Sequence, residues 1–232
     1  MEPTITKVEQ SRRTVRRAIE ERTRRYAALS VFRAFDEDRI PIERFPEFLR
    51  EQYMAARWFQ DLIWAMTDIA AGPFAELAKA HRKRDSGHFR WAKKDLASFG
   101  LAPFGDDDWF SIEMLPTRIQ MARILSMAHD ATPEQRMVVL GALESAGAVT
   151  LGALNRYVKR NGLASKSSYL GDAHVAVEEG QSEAIVGALG ALADQEDGAL
   201  LATVDLVFDA LSTMFDRGGR TYYGDLVAEP VS

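Results

Sequence analysis

D-A-H-V-A-V-E-E-G-Q-S, residues Asp172–Ser182, reads as an α-helix with a polar seam. His174, Glu178 and Gln181 stand at i, i+4 and i+7, so all three project from one face, one turn above another. The helix continues through Ile185, Val186, Leu189 and Leu192. An imidazole, a carboxylate and an amide in a row can bind a metal, hold a polar substrate, or cap a buried hydrogen-bond network. The choice depends on what the other helices bring to the same place.

Immediately upstream, Thr132-Pro133-Glu134-Gln135 supplies an N-cap Thr, a Pro at the first helical position and a Gln at the third, which together start a helix. Met137, Val138, Leu140, Leu143, Leu151 and Leu154 form its apolar stripe, and Asn161-Gly162 ends it. Glu144 lies within that stripe beside Ala142, Ala146, Gly147 and Ala148. A carboxylate there is costly unless something pairs with it. The glycines allow a close helix approach, or a bound group near the backbone. Downstream, Leu200, Leu201, Val204, Val207, Phe208, Leu211, Met214 and Phe215 make a last amphipathic helix. Arg217-Gly218-Gly219 is expected to stop it, leaving residues 218–232 as a tail.

Towards the N-terminus, a helix is predicted from the Gly72-Pro73 break to Phe99, with Gly100 as its C-cap. Asp85 and His88, at i and i+3, share a face of it, as do His81 and His88 at i and i+7. His81, among Arg82, Lys83 and Arg84, reads as a solvated surface histidine. A further helix spans about Pro41–Ala71, with an apolar face that includes Trp58, Phe59, Leu62, Trp64 and Met66. Glu51 and Asp61 also lie on it and could face inward, although most such acids are exposed. Trp109–His129 is another helix, with His129 a surface residue at its end. Residues 4–28 carry seven arginines from Arg12 to Arg25 among Val8, Val15, Ile19 and Tyr26, the pattern of a surface helix with a solvated face. No β-alternation is visible. The expected architecture is all-α: a single bundle of about seven helices, with residues 1–30 an Arg-rich helix of the same domain and 31–217 the core.

Composition narrows the function classes. The 232 residues are 47% hydrophobic and 27% charged, which is globular. A net charge of −5 gives no sign of a nucleic-acid partner. The chain has no cysteine, so it has no thiolate metal site and no Cys nucleophile. No apolar run in the sequence approaches the roughly 20 residues that span a bilayer. The expectation is a cytoplasmic protein with a small-molecule substrate, no membrane partner, and a possible homodimer.

Three segments together resemble a known family. D-S-G-H-F-R-W-A-K-K-D-L-A-S-F-G-L (Asp85–Leu101) resembles the acid-x-x-His helix, with its trailing D-L-x-x-L/F-G, of heme-oxygenase-like di-iron oxidases. L-G-A-L-E-S-A-G-A-V-T-L-G-A-L (Leu140–Leu154) looks like their central helix, which supplies one glutamate. H-V-A-V-E-E-G-Q (His174–Gln181) is similar to their last ligand helix, normally His-x-x-x-Asp-x-x-His. The likeness spans roughly Val31 to Phe215. It implies a heme-oxygenase-like fold and a first metal held by Asp85, His88, Glu144 and His174. Glu178, with the bridging carboxylates, would serve a second metal, or else carry protons. Asp85 stands where the family has Glu, Glu178 where it has Asp, and Gln181 where it has His, so the second site is incomplete. His81 is an alternative contributor to the pocket. Heme oxygenases ligate iron through a histidine of the first helix, and this chain has none before His81, which argues against heme cleavage.

The implied function is a non-heme iron oxidase or oxygenase, using one or two Fe ions and O2 on a small amino-acid or fatty-acid derivative. The alternative is a metal-independent or non-catalytic member that binds a small ligand in the same cavity. The blandest possibility is that Glu144, His174 and Glu178 only form a buried hydrogen-bonded network.

Overall fold

A computed structural model describes residues 14–68, 74–102 and 104–227. Arg12 and Arg13, the Gly72-Pro73 break and the last five residues of the expected tail lie outside them. The described residues form ten α-helices and no strand. They are α1 (Val15–Ala27), α2 (Ser30–Asp36), α3 (Phe45–Asp68), α4 (Ala75–Asp85), α5 (His88–Ser98), α6 (Asp106–Phe110), α7 (Leu115–Asp130), α8 (Pro133–Arg160), α9 (Asp172–Ala188) and α10 (Gly198–Tyr223). Of the three beyond seven, α2 lies where no helix is expected, α6 begins in the expected loop before Trp109, and the most consequential comes from a break inside an expected helix, at Ser86-Gly87 between α4 and α5.

α8 is the central element, packed against α9, α10, α1 and α2. Its capping box forms as its sequence dictates: Gln135 N–H donates to Thr132 Oγ1 at 3.2 Å, and Thr132 N–H donates to Gln135 Oε1 at 3.0 Å. By length and composition alone α8 and Gly198–Thr221 could cross a membrane. In the bundle, 78% of the tested window of α8 and 50% of that in α10 are buried, so their apolarity serves the core. A second layer, α3 with α4, α5 and α7, closes over α8 and α10. Tyr26, Phe32, Phe35, Phe45, Phe48, Tyr157 and Phe215 fill one end with edge-on and tilted ring contacts.

α10 does not stop at Gly218-Gly219. It runs on to Tyr223, which is buried, as is Val227. The two glycines mark close packing: a Cβ on Gly218 would collide with the Glu51 carboxylate, and one on Gly219 would lie 3.0 Å from Val31 Cβ. Glu51 itself is buried, against expectation, and accepts a 2.6 Å hydrogen bond from Thr117 Oγ1. Burial raises its pKa to about 7, with the Thr117 bond only partly offsetting it. Asp61 is exposed and paired with Arg57, as an ordinary helix-surface acid. Trp64 is also exposed, covered by the Arg82 guanidinium 3.6 Å above its ring rather than packed in the core.

Candidate metal centre

The break between α4 and α5 sets up the site. Gly87 takes the left-handed conformation at φ 98°, which glycine adopts without a Cβ penalty. Its N–H donates to Gln60 Oε1 of α3 at 2.9 Å, locking the link to the neighbouring helix. Asp85 therefore ends one helix and His88 begins the next. The two still approach each other, with Asp85 Oδ1 3.5 Å from His88 Nδ1, but across a turn rather than along one helix face.

α9 is placed by a residue of α5. The buried Asp95 carboxylate accepts the N–H groups of Ser168 at 2.6 Å, Tyr169 at 2.8 Å and Leu170 at 3.3 Å. Burial raises its pKa, and the three amide bonds only partly counter that. Tyr169, anchored in this way, offers its carbonyl to His174 Nδ1 at 2.6 Å. A carbonyl can only accept, so Nδ1 carries the proton and Nε2 faces the interior.

Three ligand-type atoms meet there. His174 Nε2 lies 2.8 Å from Glu178 Oε1 and 3.2 Å from His88 Nδ1, and His88 Nδ1 lies 3.2 Å from Glu178 Oε1. Ligand atoms about 2.1 Å from one metal ion and at right angles to each other are about 3 Å apart, so the triangle has the size of a metal's coordination face. A second group adjoins it. His81 Nε2 is 3.2 Å from Glu144 Oε1 and 3.5 Å from Asp85 Oδ2. Asp85 thus reaches towards one group with each of its oxygens. Within each group the ligand atoms lie within 4.8 Å of one another.

This arrangement regroups the expected ligands. His88 and His174 share a group with Glu178, and Glu144 and Asp85 belong with His81. His81 is not solvated: it is 1% exposed, because α4 turns its cationic neighbours outward and points the i, i+4 pair His81 and Asp85 at α8. The signal was present in the sequence, since His81–Asp85 repeats the His-x-x-x-acid spacing of His174–Glu178. Gln181 is buried one turn beyond Glu178, and both of its amide atoms lack a hydrogen-bond partner among the described residues. His129 is exposed at its helix end, as expected.

The two groups differ electrostatically. In the first, burial works against charge on Glu178, yet the His174 and His88 imidazoles beside it hold its pKa down at about 2. Burial likewise works against charge on His88, and the Glu178 bond and nearby carboxylates outweigh it to raise its pKa. In the second, burial dominates. It lifts Asp85 to about 6 with help from Glu144, pushes Glu144 well above the carboxylate range with help from Glu178, and depresses His81. Both oxygens of Glu144, Asp85 Oδ1 and both nitrogens of His81 have no hydrogen-bond partner among the described residues. Each such buried group costs about 1–3 kcal/mol. A divalent cation would stabilise the carboxylates and take the lone pair of a neutral imidazole, so the donor set fits a metal.

No protein-family model and no curated protein sequence matches the chain. The structure is similar to the crystal structure of a domain of unknown function with a heme oxygenase-like fold from Shewanella denitrificans. The TM-score is 0.66 at 15% identity, over 91% of this chain and 95% of that one. The fold is heme-oxygenase-like. Within this heme-oxygenase-like bundle a cavity of about 110 Å³ opens beside both residue groups, reaching Asp85, His88, Glu144, His174 and Glu178. Phe59, Ile63, Leu143, Leu211, Met214 and Phe215 supply much of its apolar wall. Among the described residues no lysine or arginine lines it. Tyr26 and Thr150, joined by a 2.9 Å hydrogen bond between their hydroxyls, and the side chain of Gln52 add polar positions to the lining.

Proposed function

We propose that the chain is a non-heme iron-dependent oxidase or oxygenase acting on a small organic substrate, with O2 as co-substrate. The observation that carries it is the second residue group: five buried nitrogen and oxygen atoms of His81, Asp85 and Glu144 with no hydrogen bond among the described residues, alongside the triad of His88, His174 and Glu178. A hydrogen-bonded network accounts for the first group, but it leaves the second unsatisfied. Iron would be held by these six side chains, with Asp85 placed between the two groups, and would supply the dioxygen chemistry that no side chain of this chain can perform. The Tyr169 carbonyl fixes the His174 tautomer, the usual role of a partner behind a metal-ligating imidazole. Glu178, held as a carboxylate, suits a ligand better than a proton carrier. The apolar walls bind an organic body and keep water from the reacting atoms.

Protein loaded anaerobically with Fe(II), desalted and measured by ICP-MS should retain about two irons per chain, and His174→Ala should lose one of them. Only trace iron in the wild type, unchanged by His174→Ala, would sink the reading in favour of a metal-independent ligand-binding protein.

A further inference from the structure

The outward side of the first residue group is covered by one side chain that the proposed chemistry does not use. The Trp91 indole stacks on His88, with ring centroids 4.7 Å apart and planes at 19°, and meets His174 edge-on at 5.2 Å and 85°. It is also 41% exposed, so a single ring touches both imidazoles and solvent. Trp91 and the exposed Val177 line an open depression in the surface whose floor includes His174. Around Trp91, α5 exposes Arg90, Lys93 and Lys94, while the two acids between His81 and Gly100, Asp85 and Asp95, are both buried. Asp172, at the depression, is paired with Lys159 and Asn155. This face is cationic on a chain whose net charge is −5.

An apolar centre with a charged rim is the usual anatomy of a protein interface, and a local reversal of charge selects the partner's sign. We propose that Trp91 with Arg90, Lys93 and Lys94 is the docking face for an acidic one-electron carrier protein, and that the indole–imidazole stack conducts the electron to the metal centre. The inference rests on the iron centre proposed above. In each event one electron leaves the reduced carrier and one Fe(III) becomes Fe(II). No bond forms or breaks, and no proton has to move. The stack gives a one-ring path from solvent to both imidazoles, and the cations raise the encounter rate with an acidic partner.

The test uses the full chain, loaded with iron and oxidised, and reduced plant-type [2Fe–2S] ferredoxin as the acidic probe. Stopped-flow absorbance follows oxidation of the ferredoxin, calorimetry follows its binding at low and high salt, and ICP-MS counts iron in every variant. The wild type should oxidise ferredoxin in proportion to its ferric iron. Trp91→Leu should slow that transfer about tenfold or more at unchanged iron content, and Trp91→Phe should fall between the two. Lys93→Glu with Lys94→Glu should weaken ferredoxin binding about tenfold at low salt, with the difference shrinking as salt rises. It should leave reduction by dithionite unchanged. Equal transfer rates in Trp91→Leu and wild type at equal iron content would overturn the conduit. Binding indifferent to the charge reversal would overturn the docking face. Failure of the wild type to hold iron would overturn this inference together with the proposed function, whereas bound iron with unaffected variants would overturn this inference alone.

Discussion

Glu144 provides the sharpest test of what the second residue group is for. It is 2% exposed, on the central helix, and neither carboxylate oxygen has a hydrogen-bond partner among the described residues. Without metal, such a group destabilises the fold by about 1–3 kcal/mol, and an apolar residue of similar shape removes that cost. Glu144→Met keeps the length and loses the charge. The metal-free variant should be about 2 kcal/mol more stable than the metal-free wild type, a rise in melting temperature of roughly 4–8 °C for a domain of this size. Fe(II) should then reverse the order, stabilising the wild type by mass action and the variant far less. Glu144 also contributes to the raised pKa of Asp85, so the variant should bring Asp85 back towards the ordinary carboxylate range. Scanning calorimetry with and without anaerobic Fe(II) reads the crossover directly. A metal-free Glu144→Met less stable than wild type by 1 kcal/mol or so, or equal stabilisation of both proteins by Fe(II), would refute the reasoning.

Three further outcomes follow from the same geometry. His81→Ala should lower bound iron from about two ions to about one, while Gln181→His alone should leave it near two, because His81 already supplies the second group's imidazole; ICP-MS distinguishes these. Asp95→Ala removes the acceptor of three backbone N–H groups and should cost about 3 kcal/mol by urea denaturation, with hydrogen exchange rising over 168–174. Glu51 has a folded pKa near 7, above its unfolded value, so the folded state binds its proton more tightly and stability falls as pH rises through that interval. The metal-free wild type should lose about 3 kcal/mol from this group between pH 4.5 and 7, and Glu51→Gln should flatten that part of the profile.

The all-α architecture was legible in the sequence because helix signals act locally. The capping box at Thr132 and the 3.6-residue stripe of α8 need no tertiary context. The errors arose where tertiary contacts reversed a local rule. Gly218-Gly219 reads as a stop by helix propensity, and it persists in α10, where a Cβ would meet the Glu51 carboxylate at one position and lie 3.0 Å from Val31 Cβ at the other. Ser86-Gly87 is a turn signal inside an otherwise helical pattern, and the Gln60 bond decides that it breaks the helix. Spacing singles out Asp85, His88, Glu144, His174, Glu178 and Gln181 as polar groups on helix faces, but it leaves their grouping open, since spacing along a helix says nothing of which neighbour a side chain faces. The cationic neighbours of His81 point to a solvated side chain, although its own spacing to Asp85 matches that of His174 to Glu178. Nothing local distinguishes Asp95, lying beside Lys93 and Lys94, as the anchor of a loop more than seventy residues away.

The position of that anchor has a consequence for how the centre comes apart. One eleven-residue helix, α5, carries both the His88 ligand and the Asp95 clasp that holds the start of α9. The first residue group is thus tied into a short closed circuit, from His88 along α5 to Asp95, through Tyr169 to His174 and back. Thermal loosening elsewhere in the bundle does not enter that circuit. Among the described residues the second group has no backbone clasp of that kind: His81 and Asp85 come from α4 and Glu144 from α8. The two halves of the centre therefore have separate lifetimes. With metal bound as proposed, the half built on His81 and Glu144 would open first and the half on His88 and His174 later.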